Sequence, residues 1–107
     1  MIPLPRKSPH PGDLIKVIRQ LAEAGAVSFS THAFDERRAE RDIDMPDALQ
    51  VLKRGMIKGD IVPGINPGEW KCLVVDKAEK SSRWIGVATV VIETRRLLIA
   101  TVEWEDK

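Results

Sequence analysis

The hydrophobic pattern of this sequence changes its period at Gly55. Before that glycine, apolar residues recur at the three- and four-residue spacing of helices. After it, they form extended runs separated by turn residues, which is typical of strands. Because helices come first and strands follow, the sequence predicts an α+β domain.

The first helix is predicted from residue 13 to residue 24. Asp13 can cap it by accepting free amide hydrogens of the first turn, and Gly25 suits the left-handed position after its end. Its apolar residues recur at helical spacing: Leu14, Val17, Ile18 and Leu21. Residues 27–30 then predict a short strand.

Two further helices are expected before Gly55. One covers residues 32–41. The other begins at Asp44, with Pro46 and Asp47 in its first turn, and ends at Gly55.

The second half of the chain predicts strands near 57–62, 69–76, 84–92 and 97–104. Short polar turns join them, such as the Asn66-Pro67-Gly68 segment, so we expect an antiparallel meander. The strands at 84–92 and 97–104 are nearly continuous apolar runs and should be central.

Residues 1–11 contain four prolines and are interpreted as a flexible N-terminal arm. Residues 12–107 are predicted to form one domain, since the chain as a whole has an ordinary globular composition, 43% hydrophobic and 31% charged. With a single cysteine, no apolar run long enough to cross a bilayer and no secretory signal at Met1, we expect a cytoplasmic protein without membrane contact.

The net charge is only +1, from 17 basic and 16 acidic side chains. A domain devoted to duplex binding usually has a larger basic excess. Any contact with nucleic acid must therefore depend on a local cluster of cations.

The helix predicted over residues 32–41 contains one such cluster. Arg37, Arg38 and Arg41 share a helix face with Phe34, and this combination can hold phosphates and stack a base. The alternative is a solvated helix with ion pairs one turn apart, such as Asp35–Arg38.

Metal and thiol chemistry have little support in the sequence. His32 and Glu36 are one helical turn apart, but the only other histidine is His10, so a zinc site lacks ligands. Cys72 lies in an apolar strand and is predicted to be a buried core thiol. We therefore expect no metal and no cofactor.

The predicted sheet contains a second set of polar groups: Lys58, Lys71, Arg83, Thr101 and Glu103. RNA cleavage by the 2′-hydroxyl needs a base, an acid for the departing 5′ oxygen, and cations that stabilise the charged phosphorane. Lysine and arginine suit the last role. The alternative is the ordinary polar face of a half-exposed sheet.

The order His32-Ala33, Glu36-Arg37, Glu40-Arg41, Ile43-Asp44 resembles the signature of the DUF4258 family, and the resemblance spans residues 27–104. The layout is also similar to the MqsR family of messenger-RNA-cleaving toxins, within the RelE-like superfamily. This similarity includes Pro9-His10, Met56-Ile57-Lys58, Trp70-Lys71 and the last strand.

The resemblance carries over to individual residues. Lys58 stands where that family has a functional lysine, and Lys71 stands where it has a functional glutamine. The family's functional tyrosine has no counterpart, the nearest position being Gly86, and Glu103 stands where a functional lysine is found.

The resemblance implies a RelE/MqsR-like fold and an endoribonuclease toxin of a type II toxin–antitoxin system. Together with the residue chemistry above, this gives Lys58, Lys71, His32 and Glu103 as catalytic candidates and Arg37, Arg41, Arg83, Phe34 and Trp84 as RNA-binding candidates. The implied partners are RNA, with or without the ribosome, and an antitoxin with a zinc-binding domain and a helix-turn-helix. The alternatives are a non-catalytic protein- or RNA-binding module of the same fold and an inactivated toxin that still binds its antitoxin.

Overall fold

The computed structural model describes residues 8–30, 43–78, 82–93 and 95–105. These residues form two helices and five strands: α1 (Pro11–Glu23), β1 (Val27–Phe29), α2 (Met45–Arg54), β2 (Met56–Pro63), β3 (Glu69–Lys77), β4 (Trp84–Ile92) and β5 (Arg96–Trp104). The α+β class is therefore confirmed. The helix predicted over 32–41, with His32, Phe34, Arg37 and Arg41, lies outside the described residues.

Helix α1 begins two residues earlier than expected, and the prediction that Asp13 caps it is wrong. The cap is His10, whose Nδ1 accepts a hydrogen bond from the Gly12 amide at 3.0 Å. Pro11 has no amide hydrogen to satisfy and its φ suits the first helical position, so the helix can start there. Asp13 lies within the first turn, where its charge complements the helix dipole.

Both helix ends that were predicted at glycines are confirmed. Gly25 has a φ of 75°, and beyond it the Ala26 amide donates to the Leu21 carbonyl at 2.9 Å. Gly55 ends α2 for a different reason: a β-carbon there would come within 2.5 Å of the Val75 carbonyl oxygen. The close approach of α2 to β3 therefore requires glycine.

The start of α2 at Asp44 is also confirmed. The Asp44 carboxylate accepts from the Asp47 amide at 2.9 Å, and the Asp47 carboxylate accepts from the Asp44 amide at 3.2 Å. This reciprocal capping box satisfies two amide groups that have no partner within the helix.

The sheet has the strand order β1-β5-β4-β3-β2. Strands β2 to β5 form the expected antiparallel meander, but β1 lies parallel to β5, with Val27 beside Leu97 and Phe29 beside Ile99. The prediction of a wholly antiparallel sheet is therefore wrong, and the sheet is mixed. Turn signals predict pairing only between consecutive strands, whereas β1 pairs with the strand farthest from it in sequence.

One face of the sheet packs against α1 and α2 and forms the core. Strand β4 is the middle strand and β5 is also interior, as predicted. The largest fully buried apolar side chains come from both helices, the segment before α2 and the three inner strands: Leu14, Ile18, Ile43, Leu52, Val74, Ile85, Val87, Val91, Leu97, Ile99 and Val102. None of the described helices is both long enough and apolar enough to span a bilayer.

A bulge in β5 decides which side chains lie on the opposite face, called here the second face. The pairing with β4 shifts between Ala88 and Thr89, so that Ala100 is an extra residue on β5. Leu97 and Ile99 are buried before the bulge, and Val102 and Trp104 are buried after it. Strict alternation would have turned Glu103 into the core, whereas the bulge places it on the second face.

Candidate functional site

A groove of about 550 Å³ lies at the end of the sheet where β4 begins and β5 ends. Its walls are formed by residues that are far apart in the sequence: Lys58, Val75, Ser82, Arg83, Trp84 and Glu105. The volume lies within the range of small-molecule sites. We treat this groove as the candidate functional site.

Strand register brings these residues together. Lys58 of β2 lies opposite Leu73 of β3, and Val75 lies opposite Gly86 of β4. Beyond the last ladder pair, the Glu105 amide donates to the Trp84 carbonyl at 2.8 Å, so Trp84 and Glu105 are cross-strand neighbours. Side chains on such neighbours lie about 5 Å apart at their β-carbons.

An ion pair crosses the groove. Lys58 Nζ donates to Glu105 Oε1 at 2.9 Å, and the side chains are 64% and 17% exposed, respectively. A pair this exposed contributes little to stability, because water screens it and two long side chains lose freedom. Its main effect is to hold an ammonium group beside a carboxylate at a fixed place on the second face.

Gly86 provides the space for the carboxylate. A β-carbon at that position would lie 2.7 Å from Glu105 Oε2 and 3.2 Å from Leu73 Cδ1. The carboxylate therefore occupies space that any other residue's side chain would fill.

Trp84 and Arg83 form the other side of the groove. Trp84 is 49% exposed although it begins an interior strand. The Arg83 guanidinium carbon lies 4.1 Å from the centre of the Trp104 ring, a cation–π contact that fixes the guanidinium. The groove thus combines an exposed indole with an ammonium–carboxylate pair, and Arg83 also lines it, with its guanidinium held on the Trp104 ring.

Three residues selected from the sequence meet in this groove: Lys58, Arg83 and Trp84. Lys71 and Glu103 are exposed residues of the second face outside the groove lining. Lys71 pairs with Val90, and Glu103 pairs with Gly86, which places their α-carbons two strands and four residues apart, roughly 17 Å. This separation is too large for a direct proton transfer between them.

Sequence reasoning missed Glu105. Its signal was present in β5, where Ile99 and Trp104 are an odd number of residues apart yet are both buried. That spacing requires a bulge, and a bulge turns Glu103 and Glu105 to the same face as Lys58.

Cys72 is buried in the core, as predicted. Burial disfavours the thiolate and raises the pKa of Cys72 to about 12, so this thiol is a poor nucleophile. Among the described residues, no three histidine, cysteine, aspartate or glutamate side chains are grouped to hold a metal ion.

Comparison with protein-family models, with curated proteins and with solved structures finds no match to this chain.

Proposed function

We propose that the protein is the toxin of a type II toxin–antitoxin pair, and that it binds single-stranded RNA in the groove and cleaves it by attack of the 2′-hydroxyl. The observation that supports this proposal is the meeting of Lys58, Arg83 and Trp84 in one groove. Residues of these three types can bind the base and the phosphate of a nucleotide.

Each side of the groove suits one part of a nucleotide. An exposed indole can stack a base of any type, and Trp84 has half of its surface available. The guanidinium of Arg83, which stacks on the Trp104 ring, supplies a positive charge that attracts a phosphate. A base on Trp84 would thus have its phosphate near Arg83.

The second face offers a path for the neighbouring nucleotides. Lys71 lies two residues along β3 from Leu73, the partner of Lys58. This spacing corresponds to about 7 Å along a strand, comparable with the distance between successive phosphates of an extended RNA strand. Lys58 and Lys71 would stabilise the backbone and the phosphorane, with His32 or Glu103 as the group that transfers the proton.

The remaining RNA contacts come from the helix predicted over residues 32–41, and the antitoxin partner comes from the resemblance to RelE-like toxins. Arg37 and Arg41 would hold the RNA backbone, and Phe34 would stack a second base. An antitoxin with a zinc-binding domain and a helix-turn-helix would neutralise the activity.

A second candidate is an RNA- or protein-binding module of the same fold that does not cleave. Two observations favour it: the charge of Lys58 is balanced by Glu105, and Lys71 and Glu103 lie on strands that are not neighbours. An inactivated toxin that keeps its antitoxin partner belongs to the same class.

Induced expression separates these functions. The toxin should arrest growth and create new RNA 5′ ends, and the purified protein should bind single-stranded RNA. Trp84→Ala should weaken that binding by about fivefold or more, since stacking on an aromatic side chain contributes about 1–3 kcal/mol per base.

The matched control is Ile65→Ala, because Ile65 is an apolar side chain that is 98% exposed outside the groove. RNA binding without new 5′ ends from folded protein would reject cleavage and favour the second candidate. RNA binding that is equal in both variants would reject the groove as the RNA site.

A further inference from the structure

The Lys58–Glu105 pair presents an ordered set of hydrogen-bonding groups. Lys58 Nζ is a donor, and the carboxylate beside it, 2.9 Å away at Oε1, is an acceptor with two oxygens. Across the groove, this edge is therefore donor, acceptor, acceptor. A base lying on Trp84 would lie beside that set, because Trp84 and Glu105 are cross-strand neighbours.

We propose that the groove selects guanine, with Lys58 and Glu105 reading its Watson–Crick edge while Trp84 stacks its ring. The proposal depends on the proposed binding of RNA in the groove and names the base that is bound. The guanine edge carries the O6 acceptor, the N1 donor and the N2 donor in that order. Lys58 would donate to O6, and the two carboxylate oxygens of Glu105 would accept from N1 and N2.

The other three bases do not match this set. Uracil places its O2 acceptor against the second carboxylate oxygen. Cytosine and adenine place an acceptor at the centre of the edge, opposite the first carboxylate oxygen, and place an amino donor against the lysine. Each mismatch sets two donors or two acceptors against each other and loses a hydrogen bond, which disfavours that base relative to guanine.

Gly86 lets the carboxylate lie against the sheet. It lies between Val75 and Glu103 in the ladder, directly beneath Glu105, and has no side chain to displace the carboxylate from this place. The Glu105 side chain is 17% exposed and contacts Lys58, so the carboxylate is partly ordered before a base binds.

The test compares four five-nucleotide RNAs of cytidines that differ only at the centre, which is G, A, U or C. All riboses are 2′-O-methylated so that no strand can be cleaved. We expect the full chain to bind the G strand at least about fivefold more tightly than the others, the lower limit for one well-formed bidentate base contact. Titration with free GMP, AMP, CMP and UMP shows whether the protein also prefers guanine in a mononucleotide.

Glu105→Gln gives the sharper measurement. If its amide oxygen faces Lys58, the set becomes donor, acceptor, donor, which is complementary to O4, N3 and O2 of uracil. The variant should lose its preference for G and prefer U. Lys58→Met should lower the preference for G without creating one for U, and Glu23→Gln, the same change at an exposed position of α1, should leave the preference for G unchanged.

The outcomes distinguish the two proposals. Equal binding of all four strands, with loss of binding in Trp84→Ala, overturns selection of guanine and leaves RNA binding in place. Absence of binding to every strand overturns both. If the Glu105→Gln variant loses affinity for all four strands equally, recognition of guanine by Lys58 and Glu105 is also overturned.

Discussion

Glu105 lies over Gly86, so that a β-carbon at position 86 would come within 2.7 Å of Glu105 Oε2. The same carboxylate accepts from Lys58 at 2.9 Å through its other oxygen. A glycine in β4 thus makes room for an ion pair between side chains of β2 and the residue after β5. The polar chemistry of the groove depends on this missing side chain.

Gly86→Ala should weaken RNA binding several-fold while the domain stays folded. The added methyl group meets the ends of the Glu105 and Leu73 side chains, which can move, so the carboxylate is displaced and the backbone is not. Fluorescence anisotropy with labelled RNA measures the affinity, and urea unfolding checks the fold.

The control for this variant is the double-mutant cycle with Glu105→Ala. Without the carboxylate, the methyl group at position 86 has little left to displace, so its effect on affinity should nearly vanish. An undiminished effect in the double variant would show that Gly86 acts on binding through another contact.

The bulge in β5 depends on Ser30. Its hydroxyl donates to the carbonyl of Ala100, the extra residue, at 3.0 Å. Ser30→Ala should lower the free energy of unfolding by about 1 kcal/mol, because a partly buried carbonyl loses a hydrogen bond. Urea titration measures the change.

Ser28→Ala is the matched control, since Ser28 is an exposed serine of β1, the strand that ends one residue before Ser30. Its effect should stay within about 0.5 kcal/mol, as for most surface substitutions. If both serine variants unfold at the same urea concentration, the hydroxyl of Ser30 does not stabilise the bulge.

The elements predicted from local signals agree with the structure. The capping residues around Asp44 predicted α2, and apolar runs between turn residues predicted β2 to β5 to within a residue at each end. These signals act over a few residues and can be identified directly in the sequence. The position of β1 beside β5 could not be predicted in this way, because it results from packing between segments that are distant in the sequence.

The candidate site was also predicted only in part from the sequence. Residue type alone selected Lys58, Arg83 and Trp84, but the groove that joins them is formed by strand register and by a bulge. Glu105 was missed because it follows the last predicted strand, and a carboxylate at that place has no motif of its own. Lys71 and Glu103 were grouped with Lys58 as polar residues of one sheet, but the register separates them.

The buried thiol of Cys72 predicts a pH dependence of stability. Its pKa is raised from 9.0 to about 12 in the folded protein, so the unfolded chain releases this proton first as the pH rises. The stability that the neutral, buried thiol contributes to the folded protein is fully present below pH 9 and is lost as the pH rises from there to about 12. The free energy of unfolding should fall by up to about 1.4 kcal/mol per pH unit in this window.

Cys72→Ala removes this contribution but leaves every other titrating group in place. Urea unfolding of both proteins across the alkaline range should show a shallower decline for the alanine variant, whatever its stability at neutral pH. Parallel declines would mean that the thiol ionises equally readily in the folded and the unfolded chain.

The Lys71→Ala variant tests whether a residue outside the groove takes part in the proposed cleavage of RNA. It is exposed on the second face, about one nucleotide along from the row of Lys58 and Leu73. Lys71→Ala should lower RNA cleavage by more than about tenfold, because a cation that stabilises the phosphorane is lost. The fold should be unaffected, since the side chain leaves no cavity, and thermal unfolding checks this.

Cleavage rates are measured at saturating RNA, which separates loss of chemistry from loss of binding. Equal rates for the two proteins would remove Lys71 from the site and confine the search for the catalytic cation to the groove.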